Sequence, residues 1–155
     1  MNPADGTSQS VLTDEEFLRQ FESTAWPYTE WHHRQHIKVA YLYLRRYPFV
    51  PAQARIREKI KAYNAAKQLP DSLLSGYHDT MTQAWMHLVY FALCEGGPAE
   101  NADAFYELHP ELWGKKILRF FYTEIFITPA AKADFIPPDR IPFPQSKKSP
   151  PDLLP

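Results

Sequence analysis

Residues 31–48 read WHHRQHIKVAYLYLRRYP. His32, His33 and His36 stand at the head of an apolar, aromatic run that Pro48 closes. The spacing predicts a helix beginning near Glu30 or Trp31. Arg34, Lys38, Tyr41 and Arg45 recur along one stripe and predict its solvated face. His36, Val39, Ala40, Tyr43 and Tyr47 predict its inner face, with His32 and His33 flanking His36 on that side. Imidazoles gathered at the mouth of a core helix raise the question of a site, because histidine is the side chain most easily recruited to bind metals or move protons near neutral pH.

Working outward, the same helical language covers most of the chain. Thr13-Asp14-Glu15-Glu16 reads as a capping box opening a short helix with Phe17, Leu18 and Phe21 on its apolar face. That helix should end before Trp26-Pro27, since a residue preceding proline is pushed out of the α region. Pro51 suits the first residue of a third helix, with Ala52, Ile56, Ile60 and Tyr63 as a narrow apolar stripe ringed by Arg55, Arg57, Glu58, Lys59 and Lys61. Residues 69–77 form a loop. Residues 78–97, HDTMTQAWMHLVYFALCEGG, are the most apolar segment and predict a central helix stopped by Gly96-Gly97. Its stripe runs His78, Thr82, Trp85, Val89. Shorter helices are expected at 102–108 and 112–122, with Gly114 a weak point in the latter. Thr128-Pro129 should cap a last turn through Phe135. Ile125-Phe126-Ile127 is the one β-like scrap. Seven of the 19 residues from 137 to 155 are proline, so that tail should be extended, packing through Ile136, Ile141 and Phe143 to about Pro144 and loose beyond. The expected architecture is all-α: a single-domain helical bundle at 13–136, a flexible N-terminus at 1–12, and a Pro-rich tail at 137–155.

Composition narrows function by exclusion. Hydrophobic residues make up 45% of the 155 and charged residues 23%, enough for a packed core. A formal net charge of −1 argues against a general nucleic-acid binder. The single cysteine, Cys94, forms no internal disulfide, which with the absence of a signal-like leader points to the cytoplasm. No apolar run is long enough for a membrane span. The expected partner is a small-molecule substrate or ligand, with no nucleic acid and no membrane, and a homodimer is allowed.

Three residues apart on a helix, His33 and His36 project from one face and could share an ion; His32 and His36, four apart, could do the same. A helical pair is half a typical metal site. His78 is the natural third ligand, because it opens the central helix on the inner stripe, where the helix dipole disfavours an imidazolium. Asp79 or Glu30 could be a fourth ligand or a base, and Tyr77 could move a proton. Thr82, Arg119 and Tyr122 are candidates to hold a substrate. His87, nine residues on from His78, faces the other way and reads as packing; His109 before Pro110 reads as a turn residue, and Cys94 as an inert core thiol. Each histidine has a plain alternative role as a hydrogen-bonded structural group.

The blocks HHRQHIKVAYLYLRR, GYHDTMTQAW, LRFFYT, TPAAKADFIPPD and IPFP, in that order, resemble a widespread set of small uncharacterised bacterial proteins. Their pattern is His-x-x-His, a Tyr-His-Glu-Thr box, a Tyr-Tyr-Ser segment, an Ala-Arg pair and a Pro-Asp close. The resemblance spans about residues 31–144 and favours His33, His36 and His78 over His32. Asp79 stands where the pattern has Glu, and Lys132 where it has Arg, which shortens one carboxylate and removes a planar fork. The resemblance implies no established activity. A looser likeness, of architecture alone, is to DinB-type bundles that gather three histidines around a divalent metal.

Two functions follow as expectations. The first is a metal-dependent enzyme with Fe, Zn, Ni or Cu on His33, His36 and His78, performing hydrolysis, group transfer or oxygen chemistry. The second is a non-catalytic ligand-binding or protein-interaction module whose histidines are structural.

Overall fold

The computed structural model describes residues 12–73, 75–124 and 128–155. The expectations for residues 1–11 and for Ile125-Phe126-Ile127 lie outside the described residues. Among those described the chain is helical, with no strand and one isolated bridge between Ser72 and Ser75. In chain order come α1 (Asp14–Glu22), a 3₁₀ turn (Tyr28–Glu30), α2 (His33–Arg46), α3 (Phe49–Ala66), α4 (Asp79–Gly96) and α5 (Ala102–Leu108). Two 3₁₀ segments (Pro110–Leu112 and Lys115–Phe120) and α6 (Pro129–Ala133) follow. No helix among the described residues is long and apolar enough to cross a membrane.

The helix starts follow local capping chemistry. The Thr13 hydroxyl accepts the Glu16 N–H at 3.1 Å. Glu16 does not reach back, as a full capping box requires; it pairs instead with Arg19 and Gln20 one turn on. Helix α2 starts two or three residues later than its sequence suggests, because residues 28–30 form a 3₁₀ turn first and Trp31 leaves it in an extended conformation. The Gln35 amide oxygen accepts the His32 N–H at 2.9 Å, closing the first turn of α2. In α3, Pro51 occupies the third position rather than the first, still within the turn whose N–H groups have no helical partner.

The bundle is built around α2, which packs against α3, α4 and α5. Ile37, Val39, Ala40, Leu42 and Tyr43 are fully enclosed. Buried phenols find acceptors: Tyr43 donates to Glu22 at 2.7 Å and Tyr63 to the Trp26 carbonyl at 2.8 Å. The stripe expected to be wet is only partly so. Lys38, Tyr41 and Arg45 are each less than 9% exposed. Helix α5 lies over Lys38 and Tyr41: Lys38 meets Asp103 at 3.2 Å, and Tyr41 stacks on Phe105 at 4.3 Å. The C-terminal tail covers Arg45. Polar residues at helical spacing thus marked a face that a later segment seals by pairing with it.

The segment 112–122 is not an α-helix. Gly114 is extended (φ −153°) and divides it into the two 3₁₀ pieces. Of the tail anchors expected, Phe143 packs against Phe121 at 5.1 Å and His87 at 4.8 Å, whereas Ile141 is half exposed. The tail does not come loose after Pro144. Lys148 donates to the Glu95 carbonyl at 3.1 Å, Arg45 donates to the Asp152 carbonyl at 2.9 Å, and the Leu154 N–H returns to the Arg45 carbonyl at 2.8 Å.

These bonds set an expectation for truncation. Net gains of about 1 kcal/mol per hydrogen bond imply that removing residues 145–155 costs about 1–3 kcal/mol and lowers Tm by several degrees. Scanning calorimetry of that truncation checks it; a melting curve superimposable on the full chain's would contradict the docking.

Candidate functional site

A cavity of about 340 Å³ opens where the first turns of α2 and α4 meet the 3₁₀ segment at Lys115. Its walls include His32, His33, His36, Tyr77, His78 and Thr82, so the histidines singled out by the sequence do converge on one place. Trp31, Trp85, Tyr28 and Met81 add flat or pliant apolar surface. The convergence follows from register. His33 and His36 share the face of α2 that leaves the core, and His78, Thr82 and Trp85 lie along one stripe of α4.

Each imidazole is held differently. His33 donates from Nε2 to the Leu112 carbonyl at 2.7 Å and lies 4.7 Å from the Trp85 ring. His36 packs 4.5 Å from Trp31, which is itself stacked on Phe21. Burial, then the neighbouring His33 and the Lys115 charge, push the His36 pKa down to about 3. Burial lowers His33 as well, with Lys115 adding to it and the Leu112 carbonyl opposing. His78 caps α4: its Nδ1 accepts the Met81 N–H at 3.1 Å, so in this arrangement Nδ1 carries no proton. His32 sits exposed at the rim.

The carboxylates do not join them. Asp79 is buried but turned into a bond network outside the cavity wall. Arg57 of α3 grips it with two bonds of 3.0 and 2.9 Å, and the Tyr77 hydroxyl donates to it at 2.7 Å. Burial alone would raise the Asp79 carboxyl; the Arg57 and Tyr77 bonds outweigh this and hold it below its ordinary value. Glu30 is exposed on its 3₁₀ turn, away from the wall. Arg119 is exposed and also outside the wall, and Tyr122 is buried with its hydroxyl on the Ile136 carbonyl at 2.6 Å. Of the residues offered for acid–base or substrate roles, Tyr77 and Thr82 reach the cavity, while Asp79, Glu30, Arg119 and Tyr122 do not.

The donor set is a poor match for a metal as it stands. Among the described residues no three His, Cys, Asp or Glu side chains form a group that could hold an ion. The His33 Nε2 is committed to a carbonyl and the His78 Nδ1 to a backbone N–H. No carboxylate lines the wall among the described residues. Lys115 brings a positive charge instead, which opposes a second cation.

Lys115 had no signal in the sequence, because it lies in a segment whose helical reading is wrong. Arg57 looked like one of several solvated cations; nothing local in the chain announces that it closes on a carboxylate 22 positions away. The loop between α3 and α4 is braced by Lys132, which donates to the Tyr77 carbonyl at 2.7 Å and pairs with Asp71. Gly76 is required there: its φ is +89°, and a Cβ would lie 2.6 Å from Asp71 Oδ1. His87 lies on the far side of α4 between Phe49 and Phe143. Comparison with protein-family models, curated proteins and solved structures finds no match.

The Asp79 network makes a prediction. Arg57→Met leaves a buried carboxylate without its cation and should cost about 2–3 kcal/mol, the low end for a broken buried pair because Arg57 is half exposed. Since the folded carboxyl titrates below its unfolded value of 3.8, this stabilisation is present above that pH and is lost as pH falls through the folded value. Urea unfolding of both proteins at pH 7 and pH 3 checks it; an unchanged gap between them at the two pH values would contradict the assignment.

Proposed function

We propose that this cavity is the functional site and that it binds a small organic molecule directly, between indole and imidazole walls. The observation that carries the reading is the lining itself: four histidines, two tryptophans and two tyrosines around one opening. Small-molecule sites are concave, largely apolar and given orientation by a few polar groups, and the volume falls within the usual range. Burial disfavours the protonated forms of His33 and His36, and a neutral imidazole supplies both a donor and an acceptor without the cost of burying charge. A proton affinity as low as that of His36 makes it a weak general base near neutral pH, which favours binding over proton abstraction. A cytoplasmic location belongs to the same proposal, supported by the lone buried thiol of Cys94.

A metal-dependent enzyme is the second reading. One observation favours it: His33, His36 and His78, far apart in sequence, share the wall. It requires His33 to bind through Nδ1 or to release Leu112, and it leaves both carboxylate candidates unused.

A thermal-shift screen of small organic molecules, run with and without a chelator, tests the two. A ligand at a hundredfold excess over its Kd adds about 2.7 kcal/mol, and Tm should rise by several degrees in chelator as well as without it. Thr82→Trp, which fills the cavity, should abolish the shift. Stoichiometric metal in untagged protein, lost in His36→Ala and His78→Ala but kept in His32→Ala, would instead establish the second reading.

A further inference from the structure

Lys115 is the one formally charged residue among the described lining of the cavity. It begins its 3₁₀ segment after the extended Gly114, three residues past Leu112, whose carbonyl accepts from His33. No ion pair among the described residues includes it, although most cations near the core have one: Arg34 and Lys38 with Asp103, Arg55 with Glu22, Arg57 with Asp79, Lys132 with Asp71. Lys115 is exposed overall, yet it lines the cavity at the rim formed with His33 and His36. The carboxylates that could have answered it are spent elsewhere, Asp79 on Arg57 and Glu30 in solvent.

We propose that the cavity selects a flat aromatic monocarboxylate, its ring against the aromatic wall and its carboxylate on the Lys115 ammonium. The inference rests on the small-molecule reading above and adds the class of ligand. Trp31, Trp85, Tyr28, Tyr77 and the imidazoles tile the wall with aromatic rings, which suits a planar partner. A single ammonium balances a single negative charge. A phosphate dianion would bring a second charge into a partly buried site with no second cation among the described residues of its wall. The N-terminal ends of α2 and α4 both border the cavity, and their dipoles have the sign that favours an anion.

Isothermal titration of the full chain with 2-naphthoate, 2-naphthamide and 2-naphthyl phosphate tests the proposal. The carboxylate should bind at least tenfold more tightly than the isosteric amide and more tightly than the phosphate. Lys115→Met should lower carboxylate affinity at least tenfold, to the level of the amide, with circular dichroism showing that the variant is folded; Lys116→Met, which removes a neighbouring lysine outside the cavity wall, should keep the preference. Equal affinity for carboxylate and amide, a tighter phosphate, or a carboxylate preference that survives Lys115→Met would overturn the inference while the cavity remains a small-molecule site. Silence from all three probes also overturns it. If ligands from the wider screen still stabilise the protein, the site itself stands; if they do not, both readings fall.

Discussion

The enclosure of α2 on nearly all sides is the constraint on which the rest of the structure depends. From Ile37 to Arg45 every residue of this helix is buried, including a lysine and an arginine. Helices α3 and α4 cover its apolar faces, while α5 and the C-terminal tail cover the polar ones. A helix so surrounded can meet an opening only at its ends. The N-terminal turn is where the histidines lie, and Trp31, stacked on Phe21 and close to Tyr63, fixes the angle at which the chain enters. The cavity is therefore the place where the core stops.

The opposite wall is set by a buried ion pair. Arg57 and Asp79 tie the middle of α3 to the first residue of α4, and Tyr77 joins them just before that helix begins. Desolvation offsets much of the pair's attraction. The pair's consequence is positional: it fixes where α4 starts, and so where His78, Thr82 and Trp85 stand. The same bonds remove Asp79 from any role inside the cavity, leaving a described wall of imidazoles with one lysine.

Periodicity was informative wherever one element decides its own burial. The stripes Phe17, Leu18, Phe21 and Ala52, Ile56, Ile60, Tyr63 are buried as their spacing implies, and helix 102–108 lies where it was expected. His33, His36 and His78 line one cavity because the first turn of α2 carries the first two and His78 caps α4, although among the described residues no three such side chains form a group that could hold an ion. What was not legible depends on partners distant in sequence. Lys38 and Arg45 look solvated until Asp103 and the Asp152 carbonyl arrive to pair with them. Asp79 looks like a free base until Arg57 closes on it. Residues 112–122 carry helical spacing, yet Gly114 adopts extended backbone and the segment breaks into 3₁₀ turns that bring Lys115 to the site.

The central claim is that α2 delivers neutral imidazoles to this cavity, with His33 tied through Nε2 to the Leu112 carbonyl. Long-range ¹H–¹⁵N correlation NMR of the histidine rings, followed from pH 8 to pH 4.5, tests it most directly. His36 should stay neutral across the whole range, because its folded pKa lies near 3, and His33 should show the Nε2–H tautomer at neutral pH. The unfolded chain protonates near the ordinary value of 6.5, so the folded state should also lose stability steadily as pH falls below it. A His36 ring that becomes an imidazolium between pH 7 and 6, with the protein still folded, would contradict the account.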